Sequence, residues 1–159
     1  MADAVIKTVS LVGGGFLVLT MFCVATNLRA QQAAKPHDVE GCKDSPLIKR
    51  MPGTIVVGDC PHKDFDQVAA PVGMKDGEPI SKTLEGNVQK WKYSTQPDTS
   101  ALTVFRNIDT ALKKAGFTIV WESSPGMITA HKGNAWYILD TGPLAGNNGY
   151  YEQTIVTVH

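Results

Sequence analysis

Apolar and polar positions change period along this chain, and each change marks an element. After Gly86, Val88, Lys90 and Lys92 alternate with Gln89, Trp91 and Tyr93. A two-residue period with aromatics on one side is that of a half-buried strand, so a strand is predicted over Leu84–Ser94. The period then lengthens. Leu102, Phe105, Ile108 and Leu112 recur at steps of three and four, which predicts one apolar stripe on a helix over about Thr99–Ala115. Asp98 or Ser100 can cap its start, and Pro97 stops the strand before it. Lys113 and Lys114 suit the negative end of the helix, and Gly116 suits the C′ position, where a left-handed backbone costs glycine least.

The remaining segments have strand chemistry. Thr54–Val57 is a short strand, and Phe65–Val72 is another whose end Pro71 restricts to an edge or an exit. Phe117–Glu122 is followed by a turn at Ser123-Ser124-Pro125-Gly126. Met127–His131 and Asn134–Asp140 form a hairpin around Lys132-Gly133, and Tyr150–His159 closes the chain with alternating Thr and Val. Asp38–Gly53 has no steady period and many turn formers, so it is an ordered loop with a small apolar clasp of Leu47, Ile48 and Met51. The predicted order is β-β-β-α-β-β-β-β. One helix cannot cover both faces of a wound parallel sheet, so the expected fold is α+β, an antiparallel sheet of short strands with one amphipathic helix packed on one face.

The N-terminal block obeys neither period. Met1–Lys7 carries a lysine, Leu11–Ala25 holds no charge, and a polar segment follows. This is the layout of a secretory signal peptide, with a small residue for cleavage at Ala25 or Ala30. The run falls short of the about 20 apolar residues of a spanning helix and contains Gly13-Gly14-Gly15. The alternative is a retained N-terminal anchor, the only part that would then touch a membrane. The expected organisation is residues 1–30 as leader or anchor, 31–37 as a linker and 38–159 as the envelope domain. Expected locations are the periplasm or the outer membrane, or the membrane surface if the anchor is kept.

Export gives the cysteines their chemistry. Cys23 lies in the leader with no small-residue lipobox before it, which leaves Cys42 and Cys60 as an even pair in an oxidising compartment. A disulfide is expected. The rival is a metal or redox site built from Cys42, Cys60 and His62, which needs a fourth ligand and has no C-x-x-C spacing. Composition adds exclusions: 15 Lys+Arg balance 15 Asp+Glu, which removes a global argument for nucleic acid. No histidine pair has zinc spacing, and no nucleophile elbow or phosphate loop occurs. Glu122 and Asp140 could face each other across strands, but a carboxylate pair without supporting context is ordinarily solvated charge. No cofactor and no catalytic residue are expected.

Trp91, Trp121 and Trp136 fall on three predicted strands. Collected on one sheet face they could form a platform for a glycan or peptide; otherwise they belong to the core under the helix. Gly146-Asn147-Asn148-Gly149 is a connection or a recognition loop.

The segment Asp38-Val39-Glu40-Gly41-Cys42-Lys43-Asp44-Ser45-Pro46-Leu47-Ile48-Lys49-Arg50-Met51-Pro52-Gly53 resembles the opening of the N-terminal module of bacterial OmpA-family envelope proteins. That opening runs roughly Asp-x-x-Gly-Ser-Lys-Asp-His-Pro-Leu-x-x-Arg-x-Pro-Gly. Phe65-Asp66, Leu84-Glu85-Gly86 and the helix from Arg106-Asn107 to Lys114-Ala115-Gly116-Phe117 also match its pattern. The resemblance covers the chain from about Asp38 onward and implies an envelope module with no assigned catalytic residues. In that family a C-terminal domain holding peptidoglycan follows. The sequence ends at His159, so that glycan-binding role is not carried over. Cys42 stands where the family has serine, which makes the disulfide particular to this version.

Together these readings lead to a non-enzymatic envelope module that binds a protein partner. Its candidate contact surface is the Lys43-Asp44 loop with Arg50, locked by Cys42 and Cys60. The alternatives are a small-ligand or glycan binder using the tryptophan face, and a membrane-anchored accessory subunit of a membrane complex.

Overall fold

The computed structural model describes residues 37–142 and 149–159. The predicted leader and nearly all of the predicted linker lie outside these residues, as does most of the Gly146–Gly149 loop. Among the described residues the order is β1 (Ile55–Val57), β2 (His62–Lys75), β3 (Glu78–Ser94), α1 (Ala101–Lys114), β4 (Thr118–Ser123), β5 (Met127–Lys132), β6 (Ala135–Asp140) and β7 (Tyr150–Val158). All strand pairs are antiparallel, in the order β1-β3-β7-β6-β5-β4, with β2 beside Glu78–Gln89 of β3. The fold is α+β with one helix on a sheet, as the periods require.

The helix starts where expected. Ser100 is extended and its hydroxyl accepts from the Thr103 amide at 3.1 Å, whereas Asp98 takes a positive φ of 65° and makes no cap. At the other end Gly116 has φ 81°, and Lys132 donates to the Ala115 carbonyl at 2.7 Å. The buried arc is Val104, Phe105, Ile108, Asp109 and Leu112. Leu102, expected in the stripe, is 48 % exposed. It lies roughly a quarter-turn from the centre of that arc, and Val104 takes the place in the first turn.

Two apolar clusters sit on opposite faces of the sheet. On the helix side, Phe105, Ile108 and Leu112 cover Trp91, Tyr93, Ile128, Tyr137, Leu139, Tyr151 and Ile155, and the loop residues Ile48 and Met51 complete the core. Tyr93 stacks on Tyr151 at 5.1 Å between centroids, and Phe117 meets Tyr137 edge-on at 6.4 Å. The other face holds a smaller cluster of Ala70, Leu84, Val88, Ile138 and Val156. The β2–β3 hairpin covers it, and β2 approaches β4 and β5.

That hairpin exceeds both sequence expectations. Phe65–Val72 extends to His62–Lys75, and Leu84–Ser94 extends back to Glu78. Asp76 and Gly77 join the strands with φ 53° and 85°, the two positive values of a tight primed turn, and Asp-Gly is its sequence signal. Pro71 lies inside β2 opposite Ser81, next to a register shift, and is tolerated there because β2 pairs only with β3. Gly86 marks where β3 first meets β7: it pairs with Val158, has φ 155°, and a Cβ there would collide with the Thr157 carbonyl. Among the described residues, no helix is long and apolar enough to cross a membrane.

Candidate functional site

The loop before β1 has no helix or strand, yet it is held at many points. Cys42 is bonded to Cys60, with Cα atoms 5.8 Å apart. The bond consumes both thiolates that the rival metal site with His62 requires, so the sulfurs serve as a crosslink. Ser45 is buried, and its hydroxyl accepts from the Leu47 and Ile48 amides at 3.1 and 3.3 Å, closing a turn. The Trp91 indole donates to the Lys43 carbonyl at 2.8 Å. The Tyr151 hydroxyl accepts from the Met51 amide at 3.0 Å, while Thr54 Oγ1 donates to the Met51 carbonyl at 2.7 Å.

Arg50 is the centre of this arrangement. Its guanidinium meets both carboxylate oxygens of Asp38 as a two-pronged pair, while its Nε lies 3.2 Å from Asp44 Oδ2. It also donates to the Thr54 carbonyl at 3.3 Å and sits 5.9 Å from the centroid of the Tyr93 ring. Asp38 in turn accepts from the Val56 amide at 2.8 Å. The hydrogen bonds from Arg50 and Val56 hold the Asp38 carboxyl down at about 2, and the same Asp38 contact pushes the Arg50 guanidinium further up. Burial, then the nearby Asp44 carboxylate, raises the Tyr93 phenol. The Tyr93 hydroxyl donates to Asp44 Oδ1 at 3.5 Å.

These contacts separate the sequence candidates. Arg50 is partly buried and Asp44 exposed, but they pair with each other and hold the loop together, so neither is a free contact group. Lys43 keeps an exposed side chain that forms no ion pair among the described residues. Pro46, Leu47 and Lys49 are also exposed, Leu47 by 43 %.

The tryptophans do not form a platform. Trp91 is 6 % exposed in the helix-side core. Trp136 lies on the opposite face, partly buried, with His131 stacked on it at 5.2 Å and the Lys82 ammonium 4.7 Å from its centroid. Trp121 pairs with Thr129 on β4, beyond a register shift, and is half-buried. The alternation of side chains decides this: Trp91 pairs with Gln153, whereas Trp136 pairs with Val156, three residues along β7 and therefore on the other face. Glu122 and Asp140 do not face each other either, since β5 runs between them and they oppose Ile128 and Met127 respectively.

His62, the histidine of the rival metal site, and Gln89 adjoin the loop. His62 begins β2, with Nδ1 2.7 Å from Gln89 Nε2 and Nε2 3.1 Å from Asp64 Oδ1. Both ring nitrogens thus lie within hydrogen-bond distance of neighbouring side chains. The register His62↔Gln89 brings them together, and the sequence signal was only the alternation of β3.

No protein-family profile matches this chain, and no curated protein matches it significantly.

Proposed function

We propose that this chain is a non-enzymatic exported envelope module that binds a protein partner through its Asp38–Gly53 loop. One observation carries this reading. A segment without regular structure is held by a disulfide, a two-pronged arginine, a serine-closed turn and an indole donor, while Lys43, Pro46, Leu47 and Lys49 point outward. A loop ordered in advance loses little conformational entropy when it is recognised, so its exposed side chains can contribute their full contact energy. The hydrophobic leader and the cystine support export, and the resemblance of Asp38–Gly53 to the OmpA-family opening supports an envelope setting.

A glycan platform is the weaker reading, because Trp91 is inside the core and Trp136 is already covered by His131 and Lys82. Affinity capture from envelope extract tests the loop reading, with Leu47→Asp and Lys43→Glu in the full chain. Both residues are exposed, so the fold should survive. Loss of a specific partner from both variants is the expected result. An unchanged set of partners would remove the loop from the account. Asp44→Ala is unsuitable, since it would loosen the Arg50 clamp and not merely delete a contact.

A further inference from the structure

The tip of the β2–β3 hairpin carries the one Asp-Gly pair of the sequence, Asp76-Gly77. Both residues are exposed, and the Asp76 carboxylate enters no ion pair among the described residues. A Cβ placed on Gly77 would meet nothing within 4 Å, so the space around it is open. The other aspartates differ. Asp38, Asp44, Asp66 and Asp109 are held in ion pairs, and every aspartate except Asp76 precedes a residue that carries a side chain. The ladder beside the turn is also short. Three rungs, Lys75↔Glu78, Met74↔Pro79 and Gly73↔Ile80, lie between it and the register shift at Pro71/Gly73. β3 pairs there with β2 alone, and a tip with exposed backbone bonds and few apolar contacts opens at low cost.

We propose that Asp76 is a modification site, at which the chain isomerises spontaneously to isoaspartate. The Gly77 amide nitrogen attacks Cγ of Asp76. The N–Cγ bond forms, the carboxyl hydroxyl leaves with the amide proton as water, and a five-membered succinimide results. Water then adds back to one of the two ring carbonyls. Opening at Cγ restores aspartate, whereas opening at the main-chain carbonyl leaves the backbone running through the side chain. Nothing is oxidised or reduced, and water is the only co-reactant. Glycine favours the closure because no side chain crowds its nitrogen and its backbone turns freely. The closed turn, with φ 53° at Asp76 and 85° at Gly77, fixes the backbone, so the reaction draws on the opened tip. The product inserts a methylene into the main chain of a two-residue turn, which its tight geometry does not accommodate. The adjoining rungs are then lost, while the β3–β7 ladder, which begins at Gly86, stays intact.

The test is incubation of the native full chain at physiological pH and temperature, followed by peptide mapping with electron-transfer fragmentation, which separates isoaspartate from aspartate at equal mass. Isoaspartate is expected to accumulate at residue 76 and not at Asp59 or Asp98, which are exposed but precede Cys60 and Thr99. Asp76→Asn keeps a pair that this turn favours and runs the same ring closure with ammonia leaving, so its tip peptide should gain mass with time. Gly77→Val loosens the turn yet crowds the nitrogen, and should lose the product. Amide NMR shifts in the aged native chain should be confined to residues 73–80. Isomerisation in urea but not in the native chain would show that the turn protects Asp76 and would overturn the proposal. So would a tip peptide of constant mass in Asp76→Asn, equal conversion at Asp59 and Asp98, or undiminished product in Gly77→Val.

Discussion

The Asp38–Gly53 loop and the β2–β3 hairpin differ in a way that separates order from secondary structure. The hairpin has a long ladder, interrupted by two register shifts and closed by a two-residue turn, yet Met74–Thr83 is exposed throughout, including Met74 at 52 % and Ile80 at 45 %. β3 meets β7 only from Gly86 onward, so this part of the hairpin pairs on one side alone. The loop has no ladder, but Ser45, Ile48 and Met51 are buried in or against the main core, and its charges converge on Arg50. Local hydrogen bonding builds the hairpin, whereas long-range anchors build the loop. Stability follows the second kind of contact, because opening the loop must break several independent anchors at once.

Each difference can be broken separately. The largest effect should come from Cys42→Ser/Cys60→Ser, which opens a covalent loop of sequence separation 18 and is expected to cost about 3 kcal/mol by urea unfolding. Arg50→Met should follow, at about 2 kcal/mol, because it removes charged hydrogen bonds and leaves Asp38 and Asp44 facing each other without a cation. Both variants should raise hydrogen exchange in the loop and leave the hairpin unchanged.

A smaller effect is set by pH. The Asp38 carboxyl is lowered to about 2 in the folded chain, so its contribution is complete above its ordinary value near pH 4 and fades as the pH falls toward 2. Melting temperature should therefore drop more steeply across that window in the native chain than in Asp38→Asn. The smallest effect belongs to the hairpin: Ile80→Thr is exposed and should change stability by less than about 0.5 kcal/mol.

The order of elements, the Ser100 cap, the Gly116 stop and the Cys42–Cys60 bond could be read from the chain because each depends on near neighbours or on cysteine pairing. What could not be read depends on which face a residue takes once strands pair. Trp91 and Trp136 share a residue type and a strand setting, but the β7 register sends them to opposite faces. Arg50 resembled a surface contact because Asp38, Asp44, Thr54 and Tyr93 meet it only after the loop folds back on β1 and β3. Leu102 fitted the helical spacing yet lies at the rim of the buried arc. Asp76-Gly77, by contrast, carries a local turn signal that defines the hairpin directly.

The measurement that bears most directly on a pre-ordered recognition loop is residue-resolved amide hydrogen exchange on the free protein. The Ile48, Met51 and Val56 amides, bonded to Ser45, Tyr151 and Asp38, should exchange as slowly as amides in the centre of β7, while Ser81–Thr83 exchange much faster. Ile48, Met51 and Val56 amides that exchange as fast as Ser81–Thr83 would contradict the account.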